Sequence, residues 1–190
     1  MAIKTIMLDL GGVLVNWDYD NFLAKLAKHS HKSQKELENV IKSVYEPYEL
    51  GSYTSDEFFY EIKKKADLEI SKEDFYNLWN HGLHENLQAA SLLPSLKRNY
   101  FLVSVSNSNE QHVSYMEGNF TFFNYLNEKV YSHLLGFGKP NRLIFNEALT
   151  RSRSKPEECL FIDDNKEFVE SAARLGISAI HHDSLNSTVA

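Results

Sequence analysis

Cysteine is nearly absent: Cys159 stands alone among 190 residues. An intramolecular disulfide is therefore excluded, and no zinc-type spacing exists. Positive charge is in deficit, with 20 Lys and Arg against 26 Asp and Glu, a net charge of -6 and a pI of about 5.7. That balance argues against a nucleic-acid partner, which demands a basic footprint. The basic run Lys63-Lys64-Lys65 lies in a helix-like segment and reads as a solvated face. No apolar run approaches the ~18–20 residues that span a membrane, and the N-terminus enters a strand with no signal-like pattern. The expectation is a reduced, soluble, cytoplasmic protein with no membrane partner. Internal repeats and low-complexity segments are also missing.

What is present is enough for a core. Apolar residues make up 43% and aromatics 13%, so general disorder is excluded. The length suits one compact domain, or a core with a modest insertion.

Residues 2–9 read as a buried strand, with Ile3, Ile6, Met7 and Leu8 as its apolar run. Asp9 falls at its carboxyl end, where open α/β sheets place ligand sites. Gly11 and Gly12 allow a sharp turn and close approach of the backbone to a bound group. On this stretch alone Asp9 reads as either a turn cap or a catalytic acid.

Helical spacing then takes over. Residues 20–29 carry Phe22, Leu23 and Leu26, and residues 35–45 carry Leu37, Val40, Ile41 and Val44. Glu46 to Ser52, with Pro47 and Gly51, reads as a loop. Thr54 with Glu57 forms a capping-box pattern, and Ser71 opens the next helix in the same way. From Leu87 onward the pattern alternates: helix 88–98, strand 100–105, helix to about Met116, strand 129–132, helix 141–151, strand 158–162, helix 166–175, strand 178–181. Residues 118–125 are aromatic-rich, and Phe120, Phe122, Phe123 and Tyr125 read as core. The polar tail 183–190 is expected to be poorly ordered. The fold class is α/β, a doubly wound parallel sheet with an all-helical insertion. The boundaries are 1–16 and 87–190 for the core and 17–86 for a helical cap lying over the carboxyl ends of the strands.

Three of these strands end in polar groups. They supply Asp9, then Ser106 and Asn107, then Asp163 and Asp164, and a loop adds Lys139. Carboxylates gathered in one cleft repel one another and call for a cation. Magnesium takes carboxylates, carbonyl oxygens and water, and bridges to phosphate. A lysine neutralises phosphate, and a hydroxyl with nearby N–H groups binds its oxygens. The set suits phosphoryl transfer through an aspartyl intermediate, which divides one hard hydrolysis into two easier steps.

Four motifs in order carry a resemblance to the haloacid dehalogenase (HAD) superfamily. They are Asp9-Leu10-Gly11-Gly12-Val13-Leu14, Val105-Ser106-Asn107, Gly138-Lys139-Pro140, and Phe161-Ile162-Asp163-Asp164-Asn165. The sequence around Ser106 to His112 resembles the subgroup that includes sugar-1-phosphate phosphatases. The resemblance implies a Mg2+-dependent phosphatase acting on a small-molecule phosphate ester, with Asp9 as nucleophile and Lys139 as its partner. It implies metal ligation by Asp9, Asp163 and the Gly11 carbonyl. Asp164 serves either as a ligand through water or as a partner of Lys139. Phosphate falls to Ser106, Asn107 and the Gly12 turn. Relatives that act as phosphatases mostly carry a second Asp two positions after the nucleophile; here that position is Gly11. Dehalogenating members also lack it, so 2-haloacid dehalogenation is one alternative and a catalytically silent binding protein is another. The subgroup commonly shows glycine there too, which points to leaving groups that need little protonation, such as an anomeric hydroxyl. Asp18, Glu46, Tyr48 and Glu49 are nearby proton sources, and Glu49 or Tyr53 is expected to reach the substrate. His81 with His84, His181 with His182, and His112 read as structural rather than metal-binding.

Overall fold

The computed structural model describes residues 2–183. The tail 183–190 therefore lies outside the described residues, apart from Asp183. The chain opens with β1 (Thr5–Leu8) and β2 (Val15–Trp17), then α1 (Tyr19–Leu26), α2 (Gln34–Glu49), α3 (Ser55–Ala66) and α4 (Lys72–His81). It continues through β3 (Leu83–Glu85), α5 (Leu87–Ala90), α6 (Leu93–Leu96), β4 (Phe101–Ser106), α7 (Glu110–Asn119), β5 (Glu128–Tyr131) and α8 (Ser132–Leu135). The last elements are α9 (Arg142–Ser152), β6 (Cys159–Asp163), α10 (Lys166–Ala173) and β7 (Ser178–His181).

Five strands form one parallel sheet in the order β5-β4-β1-β6-β7. The centre falls to β1, whose four residues are all buried, as a strand covered on both faces requires. Strand alternation divides its side chains between two cores. Ile6 and Leu8 pack with Leu102, Val113, Met116 and Phe122, while Met7 packs with Val103, Val105, Phe145 and Phe161. Helix α7 covers the first face, and α9 and α10 cover the second. This is the doubly wound α/β architecture that the strand and helix alternation implies.

Register sets where the chemistry can sit. Leu8 pairs with Ile162 of β6 and with Ser104 of β4. The next residue along β1, Asp9, is therefore level with Asp163, and its N–H donates to Ile162 O at 3.0 Å. Ser106 closes β4 at the same edge.

Helices α1 to α4 form a separate apolar cluster around Trp79, which is fully buried. Its ring lies 4.9 Å from Trp17, 5.0 Å from Phe22 and 5.1 Å from Phe58. Capping boxes start α2 at Ser33 and α3 at Thr54, so two orphan donors are satisfied at each start. The chain leaves the sheet and returns to it through an antiparallel ribbon in which Trp17 lies opposite Leu83. Each strand of that ribbon has three residues, too few to show alternation in sequence.

Two local expectations are corrected. The loop expected from Glu46 is the last turn of α2, with Pro47 inside the helix. Proline removes the hydrogen bond to the carbonyl four residues back, but Ser43 is exposed there and water can serve it. Burial of Val44 and Tyr48 on the opposite face outweighs the loss. The single helix expected over 88–98 is split into α5 and α6, because Pro94 restarts the chain at the first turn of the second piece. The aromatic stretch becomes the end of α7 and a 3-10 turn at Thr121–Tyr125, with Phe122 and Phe123 buried.

Replacing Trp79 with Ala is expected to cost about 3–5 kcal/mol of stability, the range for truncating a large buried aromatic. Urea denaturation followed by fluorescence checks it; a change under about 1 kcal/mol would show that the cluster is loosely packed.

Candidate active site

A lysine buried between two carboxylates forms the centre. Lys139 Nζ lies 2.9 Å from Asp9 Oδ1 and 2.6 Å from Asp163 Oδ2, and all three residues are buried. Asp9 Oδ1 also accepts the Leu10 N–H at 2.7 Å, and Asp163 Oδ1 accepts the Asn165 N–H at 2.7 Å. Lys139 Nζ also lies over the rings of Phe161 and Phe168, 5.6 and 5.1 Å from their centroids. Burial alone would lower the lysine's pKa, yet the charges of Asp9 and Asp163 hold it above its ordinary value. It is a fixed cation. Burial pushes Asp9 up to about 6, Lys139 opposes this, and the neighbouring Asp163 adds to it.

The loop that carries Lys139 is clamped by a neighbouring side chain. Asn107 Nδ2 donates to Lys139 O at 2.9 Å, and the Lys139 N–H donates to Asn107 Oδ1 at 2.7 Å. A Cβ at Gly138 would lie 2.5 Å from Asn107 Oδ1, so glycine is required for the clamp. The sequence reading assigned Asn107 only a phosphate contact. Its pairing with Lys139 was missed because the two are far apart in the chain. Ser106 is buried, and its Oγ donates to Asn107 O at 3.3 Å.

Asp164 is exposed and its carboxylate rests against Gly12. A Cβ at Gly12 would meet Asp164 Oδ2 at 2.1 Å, and the backbone there has φ +68°. The Gly12 N–H donates to Val15 O at 2.9 Å within the turn. Burial and Asp163 raise the Asp164 pKa. The alternative that pairs Asp164 with Lys139 is corrected: the lysine's two salt-bridge partners are Asp9 and Asp163.

Asp9, Asp163 and Asp164 each offer a carboxylate oxygen, all within 4.8 Å of one another. One lysine does not balance three carboxylates. The remaining negative charge and the all-oxygen donors suit a hard divalent cation such as magnesium.

Glu49 reaches this edge of the sheet and Tyr53 does not. Glu49 lines a cavity of ≈ 540 Å³ with Glu46, Asn107 and Lys139. Tyr53 lines a different one, with Tyr48, Glu110 and His133. A smaller cavity of ≈ 100 Å³ lies over Gly11, between Ser106, Tyr45, Trp17 and His112. His112 is buried and its Nε2 faces Trp79 O at 3.4 Å. Burial pushes it down to about 3, so it is a neutral structural imidazole. His181 Nε2 lies 2.9 Å from the Asp164 carbonyl oxygen.

A buried strand-end aspartate, paired with lysine and flanked by two further acids on a doubly wound sheet, defines a hydrolase-type site. The chain belongs to the haloacid dehalogenase-like hydrolase family, whose profile matches residues 3–176. A D-ribitol-5-phosphate phosphatase of Bacteroides thetaiotaomicron is 26% identical over 184 residues, covering 92% of this chain and 89% of the relative. Drimenol cyclase of Aspergillus calidoustus is 26% identical over 188 residues, but this chain spans only 34% of its length. Among solved structures, a HAD family enzyme of Bacteroides thetaiotaomicron in a magnesium complex superposes with a TM-score of 0.90 at 25% identity, covering 100% of this chain and 98% of that one. The same enzyme is also solved with magnesium and inorganic phosphate, at a TM-score of 0.87, 24% identity, and coverage of 99% and 98% of the two chains. Among the described residues no helix is long and apolar enough to cross a membrane.

Lys139→Met is expected to destabilise the metal-free protein by about 3–5 kcal/mol at pH 7, since it strands two buried carboxylates. Asp9 would then have a folded pKa still further above its unfolded value. The folded state binds the extra proton, so the deficit should shrink as pH falls from 7 toward 5. Urea titrations at both pH values check this, and an equal deficit at both would contradict it.

Proposed function

We propose that the protein is a magnesium-dependent phosphatase of a small phosphorylated metabolite, a sugar or sugar-alcohol phosphate. The observation that carries this reading is the buried Lys139, held between Asp9 and Asp163 with Asp164 alongside. Its substrate class is supported by the ribitol-phosphate phosphatase relative. Three acids clustered for a cation favour it over dehalogenation, which by family resemblance works without metal.

Asp9 is the nucleophile in this reading. A pKa of about 6 leaves it mostly ionised at neutral pH while burial strips it of water. Asp9, Asp163 and Asp164, with the Gly11 carbonyl, would hold magnesium. When bound, the ion would polarise the phosphoryl group and offset the acids' charge. Lys139 orients Asp9 through its ion pair and offers positive charge to the phosphoryl oxygens. Ser106 and the Asn107 N–H would donate to those oxygens. Asn107, through its side chain, keeps the Lys139 loop in place. The helical block 17–86 acts as a cap over the core formed by 1–16 and 87–190, and its Glu46, Glu49 and Tyr45 supply walls for the leaving group. A cavity of ≈ 540 Å³ suits a metabolite rather than a macromolecule.

Hydrolysis of p-nitrophenyl phosphate with magnesium is the first test. Turnover should vanish on chelation and fall by at least about 10³-fold in Asp9→Asn, as loss of a nucleophile requires. A metal-independent rate, or an Asp9→Asn variant with normal activity, would remove the reading. A panel of phosphorylated sugars and polyols then ranks the substrates.

A further inference from the structure

The inference rests on the phosphatase reading and concerns the proton that the departing alcohol requires. Breaking an alkyl phosphate leaves a strongly basic oxygen, which general acid catalysis relieves. Asp9 is already engaged as nucleophile. Asp163 is bonded to Lys139 and to the Asn165 N–H. Gly11 has no side chain, and a Cβ built there meets nothing within 4 Å. The open space faces the helical block. Tyr45 of α2 walls it, together with Ser106.

Glu49 lies one helical turn beyond Tyr45 on α2, so the two residues share a face of that helix. The last turn of α2 is fixed on the sheet edge: Ser132 Oγ donates to Glu49 O at 2.5 Å, and a Cβ at Gly51 would lie 2.1 Å from His133 O. Glu49 lines the cavity that Lys139 and Asn107 also line.

We propose that Glu49 is the general acid and base of the reaction, with Tyr45 as its positioning residue. In the first step an Asp9 carboxylate oxygen attacks phosphorus. The bond from phosphorus to the leaving oxygen breaks, and that oxygen keeps the electron pair and takes the Glu49 proton. In the second step Glu49, now a carboxylate, takes a proton from water as the water oxygen attacks the aspartyl phosphate. The Asp9–phosphorus bond breaks, Asp9 regains its carboxylate, and phosphate departs with Glu49 reprotonated. The surroundings suit this double use. Burial pushes Glu49 up to about 7; the Tyr45 phenol opposes this, Asp9 and Glu46 raise it, and Lys139 lowers it. A carboxyl titrating near the working pH can serve as both acid and base.

The test compares Glu49→Gln with wild type, both full-length and magnesium-loaded, on p-nitrophenyl phosphate and on glycerol 3-phosphate. p-Nitrophenolate leaves without a proton, whereas the alkyl oxygen needs one. Glu49→Gln should lose about 10²–10³-fold in kcat on the alkyl ester, a usual size for general acid–base catalysis. On p-nitrophenyl phosphate it should give a rapid burst of one equivalent of nitrophenolate, followed by slow turnover, because only the second step still lacks its base. The limb of the wild-type pH profile near 7 should disappear. Tyr45→Phe, which keeps the ring, should move that limb without abolishing turnover. Unchanged alkyl turnover in Glu49→Gln overturns the proposal, and so does an equal loss on both esters with no burst. Failure of the underlying phosphatase reading looks different, since wild type itself would then give no metal-dependent turnover.

Discussion

The structure depends on one buried charge. Lys139 carries its ammonium between Asp9 and Asp163, and the side-chain exposures are only 1%, 10% and 0%. Such a triad is costly to desolvate and is a poor source of stability compared with apolar packing. Its presence at the carboxyl ends of the central strand β1 and its neighbour β6 is therefore a sign of chemistry. The rest of the core exists in part to hold it. Parallel register brings Asp9 level with Asp163, Asn107 ties down the Lys139 backbone, and Phe161 and Phe168 wall the lysine.

The same charge balance links structure to ligand. Three acids and one lysine leave a surplus that a divalent cation would remove, and phosphate would then meet a site that is no longer net repulsive. The glycine turn after β1 makes room for this. Gly12 takes φ +68° and lets Asp164 close on it, while Gly11 leaves the neighbouring space open. That space is bounded from the other side by α2, so the block inserted after β1 completes the enclosure that the sheet edge begins.

Much of this was legible in sequence because it is local. An apolar run ending in Asp9, a serine-asparagine pair after Val105 and paired acids after Ile162 each mark a strand end by themselves. Their convergence follows once the sheet is parallel. Capping patterns at Thr54 and Ser71 gave helix starts for the same reason. What was illegible depends on tertiary contacts. Pro47 reads as a helix breaker, and only burial of Val44 and Tyr48 keeps α2 running to Glu49. The three-residue ribbon of β2 and β3 has no period to read. The Asn107 clamp joins residues far apart in the chain, and no spacing rule reaches that far. The sequence pairs Lys139 with Asp9 and offers Asp164 as a further partner, whereas its shorter contact is to Asp163.

The proposed chemistry turns on Asp9 accepting the phosphoryl group. Rapid acid quench of the magnesium-loaded protein with a substrate labelled at phosphorus, followed by peptide mapping, tests this most directly. Label is expected on the peptide containing Asp9, formed before product and lost on a chase with unlabelled substrate. Label on a different residue, or product released while the protein stays unlabelled at every quench time, would contradict it.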